Sequence, residues 1–74
     1  MSKYYEVVVK NNIGLRRITS NIYTHHASEK PENSTHTEGE VLNETIIMKS
    51  YYADAEEANF KCDRLVYALA NGGN

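Results

Sequence analysis

Residues 51–74 read YYADAEEANFKCDRLVYALANGGN, and the reading of this stretch decides the fold. Asp54 is a favourable helix N-cap, because its carboxylate can accept from the unpaired N–H groups of the first turn. Glu57, three residues on, can reach back to the cap's own N–H and complete a capping box. Glu56 and Glu57 also set negative charge at the positive end of the helix dipole. Asn71-Gly72-Gly73 is the expected stop, since Asn and Gly tolerate the left-handed conformation that ends helices. The spacing predicts a helix of about 16 residues, roughly 24 Å long.

The two sides of this helix differ. At 100° per residue, Ala55, Ala58, Cys62, Leu65, Val66 and Leu69 fall within one stripe and read as the face turned to a core. Phe60 and Tyr67 lie on the opposite side, among Glu56, Asp63 and Arg64. Aromatic residues and Arg are enriched where proteins meet, so Phe60, Asp63, Arg64 and Tyr67 form a candidate partner-binding surface. The competing reading is local packing, with a rolled helix or a loop covering the rings.

Working outward, Val41 to about Tyr52 predicts a strand, with Leu42, Ile46 and Met48 on one side and Val41, Asn43, Thr45, Ile47, Lys49 and Tyr51 on the other. Tyr4 to Lys10 predicts another, rich in β-branched and aromatic residues. Here Tyr5, Val7 and Val9 alternate with Tyr4, Glu6, Val8 and Lys10. Asn11-Asn12-Ile13-Gly14 reads as a hairpin turn, Asn and Gly accepting the positive φ of tight turns. A further strand runs from Leu15 to about His25. Residues 26–40 are polar, hold one alanine and nothing larger that is apolar, and so read as a flexible loop that burial cannot order.

These elements predict a single α+β domain over residues 1–74. Its architecture is two-layered: a three-stranded antiparallel sheet in β-β-β-α order, with the C-terminal helix packed on one face. The other face has no cover within the monomer. It would carry Tyr4, Tyr23 and Tyr51, and with Arg16 and Arg17 at the hairpin these form a second candidate surface for a partner or ligand. Six tyrosines accompany one phenylalanine and no tryptophan. Tyrosine suits recognition surfaces, combining contact area with a polar tip, although it is also a good strand former.

Composition narrows the function classes. A 74-residue chain with a single cysteine builds a marginal core without disulfide support, so core sharing in a homodimer or higher homo-oligomer is expected. Cys62 reads as a small buried hydrophobe. The net charge of −2 suits neither a DNA mimic nor a strongly basic nucleic-acid binder. No apolar run reaches the ~20 residues of a membrane span, and Met1-Ser2-Lys3 does not open a signal peptide, so a cytoplasmic protein is expected. No phosphate loop, zinc motif or nucleophile elbow is present, and no cofactor or metal is expected. His25 and His26, adjacent on a strand, point to opposite faces and cannot chelate one ion together.

The resulting expectation is a non-enzymatic protein-binding module, an inhibitor or accessory factor with an unidentified protein target. Phage-encoded proteins that block a host factor supply an analogy of size and style only. One surface would serve self-association and the other the target, in either assignment. The alternative is a small-molecule or nucleotide site between subunits, built from Arg16, Arg17, Tyr4 and Tyr23. A further alternative is single-stranded nucleic acid on the open sheet face.

Overall fold

The computed structural model describes residues 2–40 and 43–71. The chain is α+β, with one C-terminal helix packed on an antiparallel sheet. The elements are β1 (Tyr4–Asn12), β2 (Arg17–His25), β3 (Ser34–Glu38), β4 (Thr45–Tyr52) and α1 (Ala55–Ala70). The sheet has four strands in the order β2-β1-β4-β3, not the three expected from sequence. Every pairing is antiparallel.

The additional strand lies inside the segment expected to be a flexible loop. Residues 34–38 pair with β4, Ser34 opposite Lys49 and Glu38 opposite Thr45. Apolar burial is a poor guide to such a strand. All five residues are exposed, and what holds them is backbone hydrogen bonding to the edge of β4, helped by the β-branched Thr35 and Thr37. Asn33 secures the entry, its Oδ1 accepting from the Tyr51 N–H at 3.0 Å. The expected start of the last strand at Val41 falls in residues outside those described, as does Leu42. β4 itself begins at Thr45.

The β1–β2 hairpin is present, but its turn sits two residues later than expected. Pairing continues to Asn12 opposite Arg17, leaving Ile13–Arg16 as the loop. Asn12 stays in the strand and folds its Oδ1 over to accept from the Leu15 N–H at 2.9 Å. The positive φ falls on Arg16, at 54°, and not on Asn or Gly14.

On β1 the alternation is realised directly. Val7 and Val9 face α1 and are almost fully buried, joined in the core by Ala58 and Cys62. Each valine side chain so buried contributes about 1.5–3 kcal/mol. Tyr5, Ile18, Met48, Tyr52, Leu65, Val66 and Leu69 pack around this centre. The helix stripe is as its periodicity predicts, and the small Ala58 and Cys62 allow close approach to the sheet. Asp54 is the N-cap, accepting from the Glu56 N–H at 3.3 Å. At the other end Asn71 departs from expectation: its φ of −95° is not left-handed. It caps instead by directing both its backbone N–H (3.1 Å) and its Nδ2 (2.7 Å) to the Tyr67 carbonyl. Gly72 and Gly73 lie outside the described residues.

α1 packs chiefly on β1 and β2 and touches β4 less. It is therefore off-centre on a four-stranded sheet, which leaves the helix side of β4 and β3 partly uncovered. Among the described residues, no helix is long and apolar enough to cross a membrane.

Candidate functional site

Two surfaces remain uncovered. The first is the sheet face turned away from α1. The register places Tyr4, Glu6, Val8, Lys10 and Asn12 of β1 there, flanked by Tyr23 and His25 of β2. On the other side stand Tyr51, Lys49 and Ile47 of β4, then Ser34, His36 and Glu38 of β3. Val8 and Ile47 are 7% and 6% exposed, although no second layer covers them. Long neighbours surround them: Glu6, Lys10, Tyr23, His36, Glu38 and Lys49 rim a depression of about 320 Å³ with these two at its floor.

Glu6 organises one end of this face. Its Oε1 lies 3.0 Å from His25 Nε2, and its Oε2 accepts from the Tyr51 hydroxyl at 3.1 Å. Tyr4 stacks on the His25 ring with centroids 4.9 Å apart and meets Tyr51 edge-on at 5.9 Å. Three strands are thus stitched by one carboxylate and two aromatic contacts. The Tyr51 hydroxyl is held above the ordinary tyrosine value, first by desolvation, then by its bond to Glu6, the charge of Glu6 and the neighbouring Tyr4.

The second surface is a groove of about 720 Å³ beside α1, on the helix side of β4 and β3. Met48, Ser50 and Tyr52 of β4 and Thr35 of β3 form its floor, and Lys61, Arg64, Leu65 and Ala68 form the helical wall, with Phe60 at the outer lip. The guanidinium of Arg64 lies 5.5 Å from the centroid of the Phe60 ring, a cation–π contact that orients it.

The sequence-predicted residues separate accordingly. Phe60 and Tyr67 are 56% and 67% exposed, so no loop among the described residues covers them. Phe60, Asp63, Arg64 and Tyr67 border one shallow surface on α1, and Phe60 and Arg64 also border the groove. Tyr4 and Tyr51 come together, with Tyr23 across Glu6 on the neighbouring strand. Arg16 and Arg17 do not join them. Arg17 pairs with Asn12 at the far end of the hairpin, six residues from Tyr23, or about 20 Å along a strand.

Sequence reasoning missed the parts played by four residues. Glu6 was legible as an open-face residue, but its role depends on the register that brings His25 and Tyr51 to its two oxygens. His25 was expected at the end of the second strand and is the last residue of β2, but its contact with Glu6 follows only from the register. Lys61 and Leu65 gain a groove only because β3 widens the sheet beyond the helix. Cys62 is free and buried. Among the described residues no group of three His, Cys, Asp or Glu side chains is placed to hold a metal ion. The chain matches no family model, no curated protein and no solved structure.

Proposed function

We propose that this chain is a small non-enzymatic protein-binding module, an inhibitor or accessory factor, which self-associates through its open sheet face and meets its target with α1. The observation that carries the reading is the sheet face centred on Val8 and Ile47, whose rim residues Lys10, Tyr23, His36 and Glu38 are exposed and over which no element among the described residues is laid. A protein surface supplies the missing layer most simply, because sheets pack face to face through such centres.

A second copy fits this face by charge. Glu6 and Lys10 lie two residues to either side of Val8 on β1. A two-fold axis crossing the strands at Val8 sets Glu6 of each copy over Lys10 of the other, the repeated contact of an isologous interface. Tyr23 is half exposed beside this centre, with Tyr4 and Tyr51 partly exposed next to it, and tyrosine is a residue type that dominates such contacts. The displacement of Arg17 from Tyr4 and Tyr23 weighs against a nucleotide site within one chain.

Sedimentation at micromolar concentration tests the reading. The expected result is a dimer that Tyr23→Asp weakens by about tenfold or more, or at least 1.4 kcal/mol. Tyr23 is half exposed, so the variant keeps its fold by circular dichroism. A wild-type monomer at all concentrations, with Phe60→Ala and Tyr67→Ala leaving activity untouched, overturns it.

A further inference from the structure

We infer that the groove beside α1 receives a single amphipathic helix from a protein partner, and that this helix carries carboxylates along the edge facing Lys61 and Arg64. The inference rests on the protein-binding reading above and names the target's chemistry.

The first ground is dimensional. Strands in a sheet lie about 4.8 Å apart, so four strands offer two parallel lanes whose centres are two spacings, about 9.6 Å, apart. Helices pack at interaxial distances of about 8–10 Å. α1 occupies the lane over β1 and β2. The lane over β4 and β3 has the width of one more helix lying against α1, and the groove of about 720 Å³ marks it.

The second ground is what lines that lane. Its floor and inner wall offer Met48, Tyr52 and Leu65, each partly buried against the core and open on the groove side. An apolar stripe on the incoming helix would complete their burial, the helix-in-groove mode of recognition. The third ground is charge. The lining holds Lys49, Lys61 and Arg64 and no carboxylate, in a chain whose net charge is −2. Lys49 belongs by register to the opposite sheet face, so the wall's own cations are Lys61 and Arg64. Neither forms an ion pair among the described residues. A carboxylate-bearing helix neutralises both, and the Arg64 fork, held over Phe60, suits a carboxylate.

A second copy fits this lane poorly. The apolar stripe of its α1 is already buried on its own sheet and is not free to enter the groove.

The experiment uses the full chain labelled with ¹⁵N and two synthetic helical peptides as long as α1. They share one Leu/Ala stripe and differ only in Glu or Lys along its flanks. The expected result is that the Glu peptide shifts the amides of Met48, Tyr52, Lys61 and Leu65 with a Kd below about 1 mM. Lys61→Glu with Arg64→Glu, both exposed, should weaken it by about tenfold or more and favour the Lys peptide, as charge complementarity sets partner choice. Equal binding of the two peptides, no shift at about 1 mM, or shifts confined to Tyr23 and Tyr51 would each overturn the inference. Tighter binding of ATP to the same amides would also overturn it. Sedimentation in the same buffer reports the sheet-face association separately, so an intact dimer with a silent groove rejects the groove alone.

Discussion

The Tyr51 hydroxyl donates to Glu6 Oε2 across 3.1 Å, tying β4 to β1 on the face that α1 leaves open. Glu6 is only 15% exposed at its side chain, and its other oxygen meets His25, so the carboxylate is engaged on both sides. The bond therefore stabilises a surface as well as a fold, because it fixes the rings of Tyr4 and Tyr51 relative to one another.

One consequence appears at alkaline pH. The Tyr51 value is raised above 10.0, so the folded state holds this proton more tightly than the unfolded chain. By linkage the associated stability is fully present below pH 10 and is lost as pH rises through the folded value. Tyr51→Phe removes that loss together with the bond. Near neutral pH it should cost about 1 kcal/mol, the usual net worth of such a bond. Urea unfolding of both proteins at neutral and strongly alkaline pH checks this, since the gap should narrow at high pH. A constant gap would show that deprotonation of Tyr51 is not linked to folding.

Ala58 is completely buried where α1 crosses the sheet, while Ala68, ten positions along the same helix, is exposed at the groove. Ala58→Leu should destabilise by about 1–3 kcal/mol, because the added carbons force α1 away from Val7 and Val9. Ala68→Leu should change stability by no more than about 0.5 kcal/mol. For a domain of this size each kcal/mol moves Tm by about 4–8 °C, so thermal unfolding separates the two easily.

Two loop positions with positive φ both favour glycine, so gaining one and losing one should have opposite effects. Arg16 holds φ at 54°, which costs a side-chain-bearing residue about 1–2 kcal/mol relative to its favoured conformation. Arg16→Gly should therefore stabilise by about 0.5–1 kcal/mol after the added freedom of the unfolded chain is counted. Gly39 has φ of 97°, and a Cβ there would stand 2.7 Å from the Asn43 carbonyl oxygen. Gly39→Ala should cost about 1–3 kcal/mol. Chemical denaturation of the two single variants reads both signs.

The helix and the two halves of the β1–β2 hairpin were legible because each carries a local signal, a period of 3.6 or 2 and a cap or turn residue. So was the division of the sheet into faces, since Val7 and Val9 against Glu6 and Val8 follow from alternation alone. What stayed hidden depends on pairing between distant segments. β3 has no apolar face, and its reason for existing lies in the open edge of β4. With β3 absent from the reading, a three-stranded sheet fits under one helix and no vacant lane is expected beside Lys61 and Leu65. The Glu6–His25–Tyr51 cluster was hidden for the same cause: strand membership was readable, but the register opposing Glu6 to Tyr51 was not. Arg16 shows a different limit, since residue type predicts where positive φ is cheap but not where loop geometry imposes it.

β3 also gives the sharpest test of the sheet's width. Asn33 lies just before it and accepts from the Tyr51 N–H, so one side chain holds the start of β3 to the end of β4. Asn33→Ala should cost about 1 kcal/mol in overall stability. Its larger effect is local, because five exposed residues on an edge have little besides this clamp and their backbone bonds to hold them. Amide hydrogen exchange should show protection within 34–38 in the wild type and none in the preceding polar segment. In the variant, the Tyr51 amide and the protected amides of β3 should exchange at least about tenfold faster, with Val7 and Val9 unchanged. Amides of 34–38 exchanging as fast as those of 27–32 in the wild type would remove the fourth strand, and with it the second lane that the groove depends on.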